Sequence, residues 1–162
     1  NYPVVQAKDN DYYLTRGADG KKSTAGALFF DCRNNVAAPD ANLIVYGHRM
    51  KDDSMFGTIP DYAERRYYEQ HPIMYLLTEA QCYRVEIFAC RTVRSDMKYF
   101  ETSFESEAKY RSYLAKAMSQ SYWATDITID AIDTAITLVT CSTYAHADDP
   151  RLLVHGRLVP VE

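Results

Sequence analysis

Hydrophobic positions along the chain fall into short runs separated by turn residues. Ala27-Leu28-Phe29-Phe30, Leu43-Ile44-Val45-Tyr46 and Ala135-Ile136-Thr137-Leu138-Val139-Thr140 are apolar and rich in β-branched or aromatic side chains, as buried strands are. Asp11 to Thr15, Ile73 to Thr78, Gln81 to Val93 and Arg151 to Val159 complete the strand pattern, with turns such as Arg16-Gly17-Ala18-Asp19-Gly20 between them. Pro60 to Gln70 reads as a short helix that Pro72 forces to end before His71. The stretch from Asp96 to Ser121 breaks the period. Phe100, Phe104, Leu114 and Met118 share one stripe at about 100° per residue, with Ala108 and Tyr110 beside it, which predicts an amphipathic helix lying on a sheet. Thr102 and Glu105 have the spacing of a capping box near its start. Together the pattern predicts a mostly-β barrel or sandwich with peripheral helices.

Composition narrows this without changing it. The 162 residues, 47% hydrophobic and 25% charged, suit one folded domain over 1–162 with its own core, and no repeat or linker divides them. A net charge of −4 argues against a nucleic-acid partner, which usually meets a basic surplus. No apolar run reaches the roughly 18 residues of a membrane helix. The chain opens at Asn1 with no signal peptide, so a leader or membrane anchor is expected ahead of it.

The four cysteines carry the candidate chemistry. Cys82 and Cys90 stand eight apart in one strand, on one face by simple alternation and roughly 26 Å from each other, too far to bridge. Cys32 has no evident partner, and no CxxC pair favours a structural metal site. Cys141 is different: it ends the strand Thr137-Leu138-Val139-Thr140-Cys141 and opens a polar loop, where a rigid sheet can present a reactive group. A thiol nucleophile needs a proton partner and a stabiliser for the oxyanion. Among the histidines, His71 reads as a surface or capping residue, His146 lies in the loop after Cys141, and His155 is a packed mid-strand residue. His48 ends a buried strand after Gly47, the same placement as Cys141, and is the best candidate base. Arg151 begins the last strand across the loop, with Arg157 on the same strand as its competitor and Asp148 or Asp149 as alternative ion-pair partners.

These residues resemble a known family. Thr137-Leu138-Val139-Thr140-Cys141 is similar to the TLxTC motif of sortases, cysteine transpeptidases of Gram-positive cell surfaces. Asn42 to His48 resembles their strand ending in the catalytic His, and Arg151-Leu152-Leu153-Val154 the strand opening with their essential Arg. Ninety-three residues separate His48 from Cys141 and ten separate Cys141 from Arg151, spacings similar to class B members. The opening Tyr2 to Leu14, Phe30-Asp31-Cys32-Arg33-Asn34 and the long helical insertion also resemble class B. The resemblance implies an eight-stranded sortase-type β-barrel with peripheral helices, including a long helix before the catalytic-Cys strand. It implies cleavage of a C-terminal sorting signal of NPxTN or S/PPxTG type after Thr, through a thioester at Cys141, and transfer to a peptidoglycan amine. His48 would be the proton carrier and Arg151 the oxyanion holder, with Thr140, Val139 and Tyr144 beside the substrate. Position 143 is Thr where some class B members carry an acidic residue, so the resemblance points to Cys-His-Arg rather than Cys-His-Asp. No cofactor or metal is implied. The partners are surface proteins bearing the signal, and the place is the extracellular face of a Gram-positive cell membrane, reached through an N-terminal anchor. The alternatives are a hydrolytic cysteine peptidase, a pilin-polymerising sortase, and a Tyr-rich binding barrel in which Cys141 has no role.

Overall fold

The computed structural model describes residues 1–94, 100–141 (Cys141 by its backbone) and 150–161. Seven strands form one mixed sheet: β1 (Val4–Val5), β2 (Leu28–Phe30), β3 (Asn42–His48), β4 (Ile73–Leu77), β5 (Cys82–Val93), β6 (Ala135–Cys141) and β7 (Arg151–Pro160). Their spatial order is β1-β2-β3-β6-β7-β5-β4, with β1/β2 and β3/β6 parallel and the other pairs antiparallel. The sheet curls around one apolar core. Leu28, Phe30, Leu43, Val45, Val85, Ile87, Ile136, Leu138, Val154 and Leu158 fill it, and Phe56, Tyr62 and Trp123 close it from the connections.

The mostly-β expectation holds, with differences in count and boundaries. Seven strands stand among the described residues where eight were expected. Asp11 to Thr15 is not a strand. The Asp9 carboxylate accepts from the Asp11 and Tyr12 N–H groups, and this local turn starts a 3-10 helix at Tyr12–Leu14. The expected helix over Pro60 to Gln70 is two pieces, a 3-10 turn at Ile59–Ala63 and α1 (Arg65–Gln70).

The long helix is shorter than its apolar stripe. It is α2 (Glu107–Ser119), and Ser106 rather than Thr102 caps it by accepting from Lys109 N–H. The helix cannot begin earlier, because the Glu101 and Thr102 carbonyls accept from the Asn42 side chain and backbone. Tyr110, Leu114 and Ala117 pack on Phe88, Ala89 and Ala135 of the outer sheet face.

A bulge between Ile87 and Ala89 overturns the expected common face of Cys82 and Cys90. Tyr83, Val85 and Ile87 face the core, and after the bulge Cys90 does too, which leaves Cys82 on the opposite parity. Burial pushes the Cys90 thiol up to about 12, so it stays protonated and inert. No described helix is long and apolar enough to cross a membrane, so the expected anchor has no counterpart among these residues.

Candidate functional site

Three adjacent strands bring the candidate residues into one row. Along the parallel β3/β6 ladder, His48 is the partner of Cys141. Along the antiparallel β6/β7 ladder, Val139 pairs with Leu153, and Cys141 and Arg151 lie two steps further in the same register. The step between them is tied by a side chain: the Thr140 hydroxyl accepts from Leu152 N–H at 3.2 Å and donates to its carbonyl at 3.3 Å. Neighbouring strands run about 4.8 Å apart, so the backbone positions of His48, Cys141 and Arg151 stand side by side on three adjacent strands.

Below this row runs an apolar floor of Val139, Leu153, Ile44 and Val93, with Tyr46 and Phe100 packed against it. Tyr46 is fixed by donating its hydroxyl to Asp31 at 2.9 Å. Asp31, fully buried, also accepts two bonds from the Arg33 guanidinium and one from Asn10. Burial works to raise the Asp31 pKa, but the Arg33 bonds, aided by Tyr46, outweigh it and hold the carboxyl below its ordinary range.

His48 is 7% exposed, and its two ring nitrogens differ sharply. Nε2 lies 2.6 Å from the Leu14 carbonyl oxygen. A carbonyl can only accept, so Nε2 carries the hydrogen and a neutral ring keeps its lone pair on Nδ1. That Nδ1 is buried and has no hydrogen-bond partner among the described residues. Arg151 resembles it: Nη1 is buried and unpartnered among the described residues. Buried side-chain polar atoms are nearly always satisfied, and of the three exceptions among the described residues two lie at positions flanking Cys141, the third being Arg84 Nε.

The competitors among the described residues are occupied elsewhere. Arg157 gives Nε and Nη2 to the Glu86 carboxylate at 3.1 and 2.6 Å and Nη1 to the Thr128 carbonyl. It also lies six residues from Arg151, roughly 20 Å along β7. His71 stacks on Tyr67 and bonds its carbonyl. His155 is fully buried, accepting on Nε2 from Arg91 Nε at 3.2 Å and donating from Nδ1 to Thr137 at 3.0 Å. Burial and the Arg91 charge push its pKa down to about 3, so it is neutral at ordinary pH.

Of the three residues expected beside the substrate, Val139 is part of the apolar floor and Thr140 ties β6 to β7. Tyr144 lies outside the described residues, as do Thr143, His146, Asp148 and Asp149. The Leu14 carbonyl is a contributor that sequence reading missed. A backbone oxygen leaves no residue-type signal, and the pattern of its segment points to a strand.

A curled mixed sheet carrying His, Cys and Arg at the ends of three adjacent strands is the arrangement of a sortase-type cysteine enzyme domain. A sortase domain model matches residues 1–159. The chain is 37% identical over 159 residues to sortase B of Listeria monocytogenes and 29% identical over 161 residues to sortase B of Staphylococcus aureus. It spans 65% and 66% of the length of those relatives, while they align over 98% and 99% of it. Among solved structures, Bacillus anthracis sortase B is 42% identical with a TM-score of 0.92, covering 99% of this chain and 74% of that one. A Staphylococcus aureus sortase B–substrate complex is 28% identical with a TM-score of 0.96, covering 100% of this chain and 75% of that one. The chain belongs to the sortase family, on its sortase B branch.

Proposed function

We propose that this domain is a cysteine transpeptidase. It cleaves a C-terminal sorting signal of NPxTN or S/PPxTG type after Thr and joins the new carboxyl end to a peptidoglycan amine. The observation that carries this reading is the register row His48–Cys141–Arg151, flanked by the two unpartnered buried nitrogens. The similarity to sortase B along nearly the whole chain supports it.

Each part of the row has a task. The Cys141 thiolate attacks the Thr carbonyl carbon, and Arg151 donates to the oxyanion that forms. His48 Nδ1 holds the proton taken from the thiol and gives it to the departing amine as the intermediate collapses to a thioester. An incoming amine then loses a proton to the same Nδ1, attacks the thioester, and releases Cys141. The Nε2–H bond to Leu14 is present in both protonation states of Nδ1, so the ring needs no rearrangement as it cycles. Such a reaction belongs at the outer face of a Gram-positive cell membrane, where sorting signals and peptidoglycan precursors meet.

The discriminating experiment offers fluorogenic sorting peptides with and without an amine acceptor. A transpeptidase shifts its product to the amine adduct as acceptor is added. A product distribution indifferent to the amine favours a hydrolytic peptidase, and a binding barrel leaves the peptide intact.

A further inference from the structure

The geometry points to Gly26 as a positioning residue for His48. The inference rests on His48 as the proton carrier proposed above, and concerns what aims its ring.

Gly26 sits at φ +61, in the left-handed region. A Cβ there would lie 2.9 Å from His48 Cδ2, 3.0 Å from the Leu14 carbonyl oxygen and 2.6 Å from the Tyr13 carbonyl oxygen. Cδ2 is the ring carbon bonded to Nε2, so Gly26 packs against the imidazole edge directly beside the Leu14 hydrogen bond. The ring is therefore held twice along one edge: Leu14 pins Nε2 and the bare Gly26 backbone walls off Cδ2. The opposite edge carries Nδ1, buried and without a hydrogen-bond partner among the described residues.

The two walls belong to one locally built unit. Ala27 N–H donates to the Tyr13 carbonyl at 3.0 Å and Ser23 N–H to the Thr15 carbonyl at 3.0 Å. The hairpin between them closes through the Arg16–Lys22 bridge and the Gly17 N–H bond to the Lys21 carbonyl. Tyr12–Leu14 on one arm and Ser23–Ala27 on the other thus form a clamp outside the sheet that closes on the end of β3. A side chain at position 26 would press on the Tyr13 carbonyl at 2.6 Å, the His48 ring at 2.9 Å and the Leu14 carbonyl at 3.0 Å, so the ring or the backbone that pins it must shift. Displacing reacting groups by about 1 Å can cost roughly a hundredfold in rate.

Backbone strain is separated from ring contact by a matched control. Gly20 also has positive φ, +78, but a Cβ there would meet only the Tyr12 hydroxyl at 3.5 Å. Gly20→Ala therefore carries the same left-handed penalty with no contact to His48. Gly26→Ala and Gly20→Ala are compared by thermal melting, by peptide-cleavage kinetics, and by 1H–15N correlation spectra of the His48 ring. Both variants should melt earlier than the parent. Gly26→Ala should lose about 10- to 100-fold in kcat with KM little changed, and its spectrum should depart from the Nε2–H tautomer, while Gly20→Ala keeps its kcat and spectrum. Equal kinetics in the two variants, or an unchanged His48 spectrum in Gly26→Ala, overturns the inference. Should Gly26→Ala fail to fold, two measurements decide. Asp9→Ala, which releases the start of the Tyr12–Leu14 turn, should lower kcat. The parent protein should show Nε2–H as its resting tautomer, and a resting Nδ1–H tautomer contradicts the clamp. His48→Ala with undiminished turnover would sink the proton-carrier reading itself, an outcome distinct from either of these.

Discussion

Two polar clusters occupy the same outer face of the same strands, and each pairs a histidine with an arginine. In the deeper one, Arg91 donates to His155, His155 to Thr137, Thr137 to Asn42, and Asn42 to the Glu101 carbonyl and the Tyr113 hydroxyl. The direction of every bond follows from the first, since a guanidinium can only donate. Arg91 also donates to Gln120 at the end of α2, so the chain of bonds fastens that helix region to the sheet. In the outer one, His48 Nδ1 and Arg151 Nη1 have no partner among the described residues. The contrast teaches that residue type does not separate structure from reactivity on this face. The pairs differ in satisfaction: the inner one has spent its hydrogen bonds on the fold, while one nitrogen each of His48 and Arg151 has no partner among the described residues.

The strongest way to break this contrast is to exchange the roles of the arginines. Arg151→Ala should lower kcat by about 10²- to 10³-fold, the usual cost of losing an oxyanion donor, with little change in melting temperature. Arg157→Ala, which frees only Glu86 and the Thr128 carbonyl, should leave peptide cleavage near the parent rate. Kinetics showing the reverse would move the oxyanion role to Arg157.

The deeper cluster should respond oppositely. Arg91→Met strands the fully buried His155 Nε2 lone pair away from water and releases the exposed Gln120 amide to solvent. At about 1–3 kcal/mol for an unsatisfied buried group, denaturant unfolding should show a loss of roughly that size. The surviving folded fraction should keep its kcat. A variant of full stability and lost activity would place Arg91 in the chemistry instead.

A smaller effect concerns pH. His155 is held neutral, with its pKa depressed from 6.5 to about 3. The unfolded chain therefore takes up this proton before the folded one does. The stability His155 contributes is complete above pH 6.5 and declines as pH falls toward about 3. His155→Gln should flatten that part of the stability–pH curve, on the order of a few kcal/mol across it. An unaltered acid limb would show that carboxylates such as Asp31, whose lowered pKa sheds stability only at more acid pH, dominate instead.

Much of the outer site was legible in the sequence, because its residues end strands whose apolar runs are plain. Leu43 to Val45 and Ile136 to Val139 announce β3 and β6, and the spacing of His48, Cys141 and Arg151 follows the strands they terminate. The inner cluster was not legible. Asn42, Thr137 and Arg91 come from three strands and meet only through register, and a bulge in β5 shifts the parity that alternation would have assigned. The long helix was misjudged at its start for a related reason. Phe100 and Phe104 keep helical spacing, but the Asn42 bonds to the Glu101 and Thr102 carbonyls hold the chain between them against β3. The Leu14 carbonyl and the Gly26 wall lie beyond residue patterns altogether, since each acts through backbone or through the lack of a side chain.

The claim at the centre of this account is that Cys141 is the nucleophile among four cysteines. Intact-protein and peptide-level mass spectrometry during turnover of a sorting peptide, with amine acceptor withheld, tests it directly. The account predicts an acyl adduct on the peptide containing Cys141, discharged when the amine is added and absent in Cys141→Ala. An adduct on Cys32, Cys82 or Cys90, or cleavage that persists in Cys141→Ala, would contradict it.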